Sequence, residues 1–261
     1  MNAVTRTTPV RIRSIRIWCE HLLSFTLERP ADYRFKAGQF ARLGLQSTHG
    51  EAGPDGIVWR AYSMASGPFD ESLEFYSIVV PGGAFTSALA QCQVGDWVYL
   101  DRQAYGYLTC DRFPMGGDLW MLSSGTGLAP FLSMLNDPET WSQFDHLVLV
   151  HSVRTSQELA YREWIESLSA HPIWGAEAHR LSYQPVVTRS PSEFPSRRIP
   201  ALIETGELQA FLTRPTSLEV SRWMICGNPS MVQDCKETLQ KQGFTTDRPS
   251  RPGQIATENY W

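Results

Sequence analysis

Residues 11–18 alternate in character, Arg-Ile-Arg-Ser-Ile-Arg-Ile-Trp. A period of two belongs to an extended strand with one face buried. Comparable short runs follow at residues 22–27, 39–45, 60–64, 73–80 and 97–100, separated by Gly-Pro at 53–54, Gly-Pro at 67–68 and Pro-Gly-Gly at 81–83. Short strands punctuated by turn residues predict a closed antiparallel β-barrel. One short helix is predicted inside this region, over residues 86–91.

The pattern changes around residues 113–117. Beyond it, apolar runs at 119–122, 147–150, 181–187 and 223–226 alternate with helical segments at 128–135, 157–168 and 229–241. Strand–helix alternation predicts a doubly wound α/β domain built on a parallel sheet. The expected organisation is therefore a barrel domain over 1–113 and an α/β domain over 114–261, with no internal repeat.

The bulk numbers narrow the function classes. The chain has 261 residues, 42% hydrophobic and 19% charged, which suits two globular domains rather than a disordered chain. A net charge of −4 argues against nucleic acid as a partner. No run of about 18 apolar residues appears, so no membrane span is expected. The polar stretch 1–10 lacks the apolar core of a secretory signal. Five cysteines (Cys19, Cys92, Cys110, Cys226 and Cys235) include no C-x-x-C pair, so neither a zinc ribbon nor an iron–sulfur cluster is expected. Reduced thiols predict a cytoplasmic location. The histidines, His146 and His151 among them, show no metal-ligand spacing and read as surface or packing residues, so no metal is expected.

Candidate chemistry collects at strand ends. Ser123-Ser124-Gly125-Thr126-Gly127-Leu128-Ala129-Pro130 follows the first strand of the second domain and opens a helix. Such a turn lets backbone approach a phosphate, and the helix N-terminus attracts its charge, although the third glycine of the dinucleotide fingerprint is missing. Where NAD enzymes place an acidic residue for the ribose 2′-hydroxyl, this chain has His151-Ser152-Val153-Arg154. An arginine there suits a 2′-phosphate, and Arg189, Arg197 and Arg198 are candidates to converge on it. In the first domain Arg60-Ala61-Tyr62-Ser63 combines a diphosphate partner, a stacking ring and a hydroxyl. Strict alternation puts Arg60 and Tyr62 on one face and Ser63 on the other. Pro81-Gly82-Gly83-Ala84-Phe85-Thr86 is a second phosphate-cradle candidate.

These motifs, in this order, together with Cys226-Gly227-Asn228-Pro229 and the ending Glu258-Asn259-Tyr260-Trp261, resemble the ferredoxin–NADP(+) reductase superfamily, and its bacterial ferredoxin/flavodoxin reductases in particular. The resemblance spans nearly the whole chain. It implies an FAD-binding barrel followed by an NADP-binding domain. For FAD it implies Arg60 at the diphosphate, Ala61 as an FAD contact, Tyr62 stacked on the isoalloxazine, Ser63 near its N5, and Tyr76 as a further flavin contact. Ala84, Phe85 and Thr86 would hold the diphosphate by backbone and hydroxyl, and Thr126 would lie by the nicotinamide end, touching both cofactors. For NADP it implies Gly125, Thr126, Gly127, Val153, Gly227 and Asn228, with Arg154, Arg189 and Arg198 around the 2′-phosphate. Cys226 would face the nicotinamide. Trp261 would cover the flavin face opposite Tyr62, with Tyr260 the alternative for that role; plant-type members end one aromatic sooner. Ser63, Cys226 and Trp261 are thus the expected catalytic positions.

The implied activity is electron transfer from NADPH, through FAD, to a one-electron carrier, ferredoxin or flavodoxin, by a monomer that meets its partner transiently. The alternatives are an NADPH-dependent reductase of free flavin and a non-catalytic flavin redox sensor. The N-terminal region is basic, with Arg6, Arg11, Arg13, Arg16, Arg29, Arg34, Lys36 and Arg42 against Glu20, Glu28 and Asp32. Such a face would steer an acidic carrier.

Overall fold

The computed structural model describes residues 6–46, 53 and 56–259. They fall into two compact units, Met1–Thr109 with Leu132–Asp137, and Cys110–Phe131 with Pro138–Trp261.

The first unit is a six-stranded antiparallel sheet of β1 (Thr7–Cys19), β2 (Leu22–Glu28), β3 (Phe40–Gln46), β4 (Ile57–Ser63), β5 (Ser72–Ile78) and β6 (Trp97–Asp101), ordered β4-β3-β6-β1-β2-β5. It closes just past the end of β4. There Met64 bridges Phe75, and the Ala65 N–H donates to the Glu74 carbonyl at 2.8 Å. The barrel foreseen from period-two patterning is therefore present. β1 serves two partners: residues 7–11 pair with β6, and residues 12–19 pair with β2. Register shifts between Ile12 and Ser14 and between Ile17 and Cys19 mark irregularities in its β2 half, where bulges bend and twist a strand. Inside the barrel Phe25 and Phe75 stack at 5.5 Å, and Tyr62 meets both edge-on. Helix α1 (Ala84–Leu89) begins two residues before its expected start, because Gly83 already takes the extended N-cap conformation.

The second unit is a five-stranded, wholly parallel sheet of β7 (Asp118–Ser124), β8 (His146–Val153), β9 (Leu181–Val187), β10 (Ser221–Gly227) and β11 (Ile255–Asn259), ordered β11-β10-β7-β8-β9. The chain winds outward from β7 in both directions, so β7 and β10 flank a topological switch point. Leu119, Trp120, Met121 and Leu122 of β7 are all fully buried, as a central parallel strand requires. Trp120 stacks on Trp223 of β10 at 4.9 Å, and Phe244 meets Trp223 edge-on. The helices are α2 (Ala129–Leu135), α3 (Pro138–Gln143), α4 (Arg162–Glu166), α5 (Ile199–Glu204), α6 (Glu207–Phe211) and α7 (Pro229–Lys241). In α7 the buried Val232, Cys235 and Leu239 recur at helical spacing, and the Asn228 carboxamide caps the start by accepting from the Ser230 and Met231 N–H groups.

Three expectations need correction. The division falls between Thr109 and Cys110 rather than after residue 113, and residues 132–137 group with the barrel. Gln143 Nε2 donates to the Cys110 and Phe113 carbonyls, and Arg112 pairs with Asp247, which fastens residues 110–113 to the second unit. The single helix expected over 157–168 is instead a 3-10 turn at 156–158, then α4 and a 3-10 turn at 167–170. Tyr161 is left-handed at φ 62°, a conformation no α-helix accommodates, so the helix restarts after it. Finally α3, α5, α6 and β11 were not foreseen. Each has only five or six residues, too few to display a period.

Phe75 is the hinge of the barrel core, touching Phe25 and Tyr62 while its backbone closes the sheet. Phe75→Ala is expected to destabilise the first unit by about 3–5 kcal/mol, seen as a lower denaturant midpoint for its transition. Tryptophan fluorescence from the second-unit core should keep its own midpoint.

Candidate functional site

In the first unit the candidate site starts at the closing end of β4. Tyr62 and Ser63 are both buried, while Arg60 and Ala61 are both exposed. The β3 register runs unbroken from Arg60 to Ser63, and only Tyr62 of the buried pair joins the barrel's internal cluster, so burial of both does not follow from a shared face. The closing bridge at Met64–Phe75 covers both sides of the strand end, so neighbours in sequence are buried together. The Tyr62 hydroxyl lies 3.0 Å from Ser77 Oγ, and its ring lies 5.2 Å from Phe85. Burial pushes its phenol up to about 12, against the opposing pull of the Ser77 hydrogen bond and the Arg60 charge. The phenol therefore stays neutral. Tyr76 is fully buried beside Phe75 on β5, outside the barrel's internal cluster.

The 81–86 turn has the form of an anion cradle. Gly82 is left-handed at φ 74°, and a Cβ built there meets no atom within 4 Å. Two residues on, α1 begins, and its leading N–H groups have no intrahelical acceptor. The Thr86 hydroxyl is already used inside the turn. It accepts from the Val80 N–H at 3.1 Å and lies 3.2 Å from the Val80 carbonyl. Its proton is thus committed to backbone, and the cradle offers N–H groups rather than this hydroxyl. Ala84 and Phe85 are buried in the barrel core.

In the second unit the switch point brings two strand ends into unusually close approach. A Cβ on Gly127 would lie 2.4 Å from the Cys226 carbonyl oxygen, and one on Gly227 would lie 2.3 Å from Ser124 Oγ. Ser124 Oγ also accepts from the Asn228 N–H at 2.9 Å. Gly125 differs from its neighbours. It is left-handed at φ 54°, and a Cβ there would meet nothing within 4 Å. The two glycines therefore have different reasons: Gly127 makes room for backbone, and Gly125 supplies a conformation and leaves a face open for a ligand.

His151, at the end of β8, is fully buried and holds this turn. Its Nε2 lies 3.2 Å from the Gly125 carbonyl oxygen, which can only accept, so Nε2 carries the proton. Burial lowers its pKa to about 4, opposed only by that bond. The expectation of a packing histidine missed this bond, because no spacing in the sequence joins residue 151 to residue 125.

Arg154 and Arg189 emerge side by side, since the Arg189 N–H donates to the Arg154 carbonyl at 2.8 Å and both side chains are exposed. Arg198 is exposed just before α5. Arg197 is instead paired with Glu207 and does not join them. Glu158, unremarked in the sequence, accepts from the Arg154 N–H at 2.9 Å and fixes the bend that launches Arg154. Val153 is buried beneath it. Thr126 is buried in the turn. Cys226 is fully buried, and its thiol is held neutral by burial and by the nearby Glu258 charge. Tyr260 and Trp261 lie outside the described residues.

Residues 121–237 match the model of the oxidoreductase NAD-binding domain. The chain is 38% identical to a ferredoxin–NADP reductase of Pseudomonas aeruginosa over 95% of each protein. It is 34% identical to a flavodoxin/ferredoxin–NADP reductase of Rhodobacter capsulatus over 99% of this chain and 97% of that one. The chain belongs to the ferredoxin–NADP reductase family. A solved ferredoxin–NADP(+) reductase from Neisseria gonorrhoeae, with FAD and NADP bound, superposes with a TM-score of 0.88 at 38% identity, covering 97% of this chain and 98% of that one. Membership in the ferredoxin–NADP reductase family accounts for the pairing of a barrel with a doubly wound sheet.

Two outcomes follow for this reductase. Gly125→Ala is expected to fold with a loss of about 1–2 kcal/mol from the left-handed backbone alone. Gly127→Ala must displace the end of β10, so its loss by thermal unfolding should be clearly larger. The second outcome concerns acid. An unfolded histidine titrates near 6.5 and folded His151 near 4. The folded state therefore resists protonation, and its contribution is complete above pH 6.5 and fades as pH falls toward 4, by on the order of 3 kcal/mol. His151→Gln should flatten the stability profile across that window; an unchanged slope would assign the acid sensitivity elsewhere.

Proposed function

We propose that this chain is an FAD-dependent reductase that passes electrons from NADPH to ferredoxin or flavodoxin. The observation that carries the reading is the near-full-length likeness to a reductase solved with FAD and NADP bound, on a chain whose open turns at Gly82 and Gly125 each lead into a helix, as a phosphate-bearing cofactor requires. FAD, when bound, takes two electrons as a hydride and releases them singly, which suits a one-electron carrier.

The residues divide this work. Arg60 and the N–H groups of Ala84, Phe85 and Thr86 hold the FAD diphosphate, while the Thr86 hydroxyl keeps the turn in shape. Ala61, Tyr62, Ser63 and Tyr76 line the flavin's ring end, with the neutral Tyr62 phenol adding no charge there. The turn at 125–127, with Val153, Gly227 and Asn228, receives NADP(H), and Arg154, Arg189 and Arg198 select its 2′-phosphate by charge-assisted hydrogen bonds. Cys226 meets the nicotinamide as a neutral thiol and takes no part as a nucleophile.

The carrier is recruited by charge. Arg11 lies over the Trp97 ring at 4.0 Å and Arg16 over the Trp18 ring at 3.6 Å, which holds both guanidinium groups at the barrel surface with Arg13 between them in sequence. Arg29 and Arg34 contribute less than their number suggests, since Arg29 donates to the Tyr33 and Asp70 carbonyls and Arg34 to the Ala31 and Tyr33 carbonyls. Steering by such a face produces transient encounters that weaken with salt. A monomer working in the cytoplasm, its thiols reduced, completes the reading.

The test is a yellow protein whose visible flavin bands bleach with NADPH and which then reduces ferredoxin or flavodoxin faster than free FMN. Preference for FMN would move the activity to flavin reduction, and no bleaching would remove catalysis. Within the reading, Arg154→Asp should erase most of the preference for NADPH over NADH, a change of about 10- to 150-fold. Unchanged selectivity would take the 2′-phosphate away from Arg154.

A further inference from the structure

His151 is sealed within the second unit, yet it is bonded to the turn that carries the proposed NADP(H) site. A space-filling role does not call for a histidine. Leucine or phenylalanine would fill the volume without leaving a buried nitrogen unsatisfied, and here Nδ1 has no hydrogen-bond partner among the described residues. What only a polar ring supplies is the Nε2–H on the Gly125 carbonyl, at 3.2 Å.

That carbonyl needs a holder. Gly125 is left-handed and has open space where a Cβ would stand, so packing on that side does not fix its peptide. In a trans peptide the C=O and the following N–H point in opposite directions. Drawing the Gly125 carbonyl toward His151 therefore aims the Thr126 N–H away from it. The ring is placed for this by register, since His151 lies beside Ser123 of β7 and Pro185 of β9, with Ser123 two residues before Gly125. Neither neighbour is ionisable, and full burial keeps the ring neutral with its proton on Nε2.

We propose that His151 is a positioning residue for the nicotinamide cofactor, pinning the Gly125 carbonyl so that the Thr126 N–H is presented to the cofactor's diphosphate. This rests on the reading that the 125–127 turn receives NADP(H). It makes the residue at the end of β8 a determinant of NADP(H) affinity without contact to the cofactor, three positions before the arginine that selects the 2′-phosphate.

The experiment uses the full chain with FAD bound and three variants, His151→Gln, His151→Asn and His151→Leu. A glutamine amide nitrogen reaches the place of imidazole Nε2, whereas an asparagine amide reaches only that of Nδ1. Affinities are measured for NADP+ and for adenosine 2′-phosphate, which has the 2′-phosphate but no diphosphate. The expected result is a loss of about tenfold or more in NADP+ affinity for His151→Leu and His151→Asn. The KM for NADPH rises in parallel with little change in kcat, His151→Gln stays near wild type, and adenosine 2′-phosphate binds equally to all. If His151→Leu fails to fold, the contrast between glutamine and asparagine decides. Equal NADP+ affinity across the variants overturns the proposal, as does a joint loss of both ligands that glutamine does not rescue. Wild-type protein that binds adenosine 2′-phosphate and NADP+ equally would overturn the diphosphate assignment itself, and wild-type protein that binds neither would overturn the NADP(H) reading.

Discussion

The close approach of two strand ends at the switch point is the constraint on which the second unit's site depends. The turn after β7 and the end of β10 come so near that no side chain larger than glycine fits at residue 127 or 227. At Gly127 the contact is with the Cys226 backbone, and at Gly227 with the Ser124 hydroxyl and backbone atoms, so it tolerates little repacking. It fixes where the open face of Gly125 lies. It also brings the Asn228 N–H to Ser124, which ties the start of α7 to the same point. The stacked Trp120 and Trp223 hold the same two strands together further down the sheet. The proposed phosphate site here is thus a by-product of how tightly two parallel strands are joined.

The first unit reaches a similar end differently. Its cradle is a turn closed by the Gly83 N–H on the Val80 carbonyl and braced by the Thr86 hydroxyl on the same residue. Tyr62 belongs at once to the barrel core and to the strand that carries Arg60. Burial among aromatic rings and a bond to Ser77 leave that side chain little freedom. A ring held by the core loses little entropy when a planar ligand meets it.

Much of this was legible in the sequence. Alternation gave the barrel strands within a few residues, and α7 was foreseen with its bounds because Asn228, Pro229 and a helical apolar period all agree. The place of Arg154 just past the end of β8 was legible because an apolar run precedes it. What was not legible depends on contacts between residues distant in sequence. His151 and Glu158 act through single hydrogen bonds, to a carbonyl 26 residues away and to an N–H four residues away, and neither leaves a pattern. Arg197 looked equivalent to Arg198 until Glu207 was seen to claim it. The left-handed Tyr161 broke a helix whose residues are individually good helix formers, since a backbone reversal carries no compositional mark unless it falls on glycine.

The double duty of β1 bears on how the barrel forms. Its second half pairs with β2 across a tight turn, with Cys19 opposite Leu22, a local contact that closes within microseconds in typical hairpins. Its first half pairs with β6, where Thr7 meets Asp101, so that ladder must wait until the intervening chain has been gathered. Entropy makes such long closures slow. The early hairpin and the late seam are therefore written into one strand, and that seam, with the closure at Met64, separates a folded barrel from an open sheet.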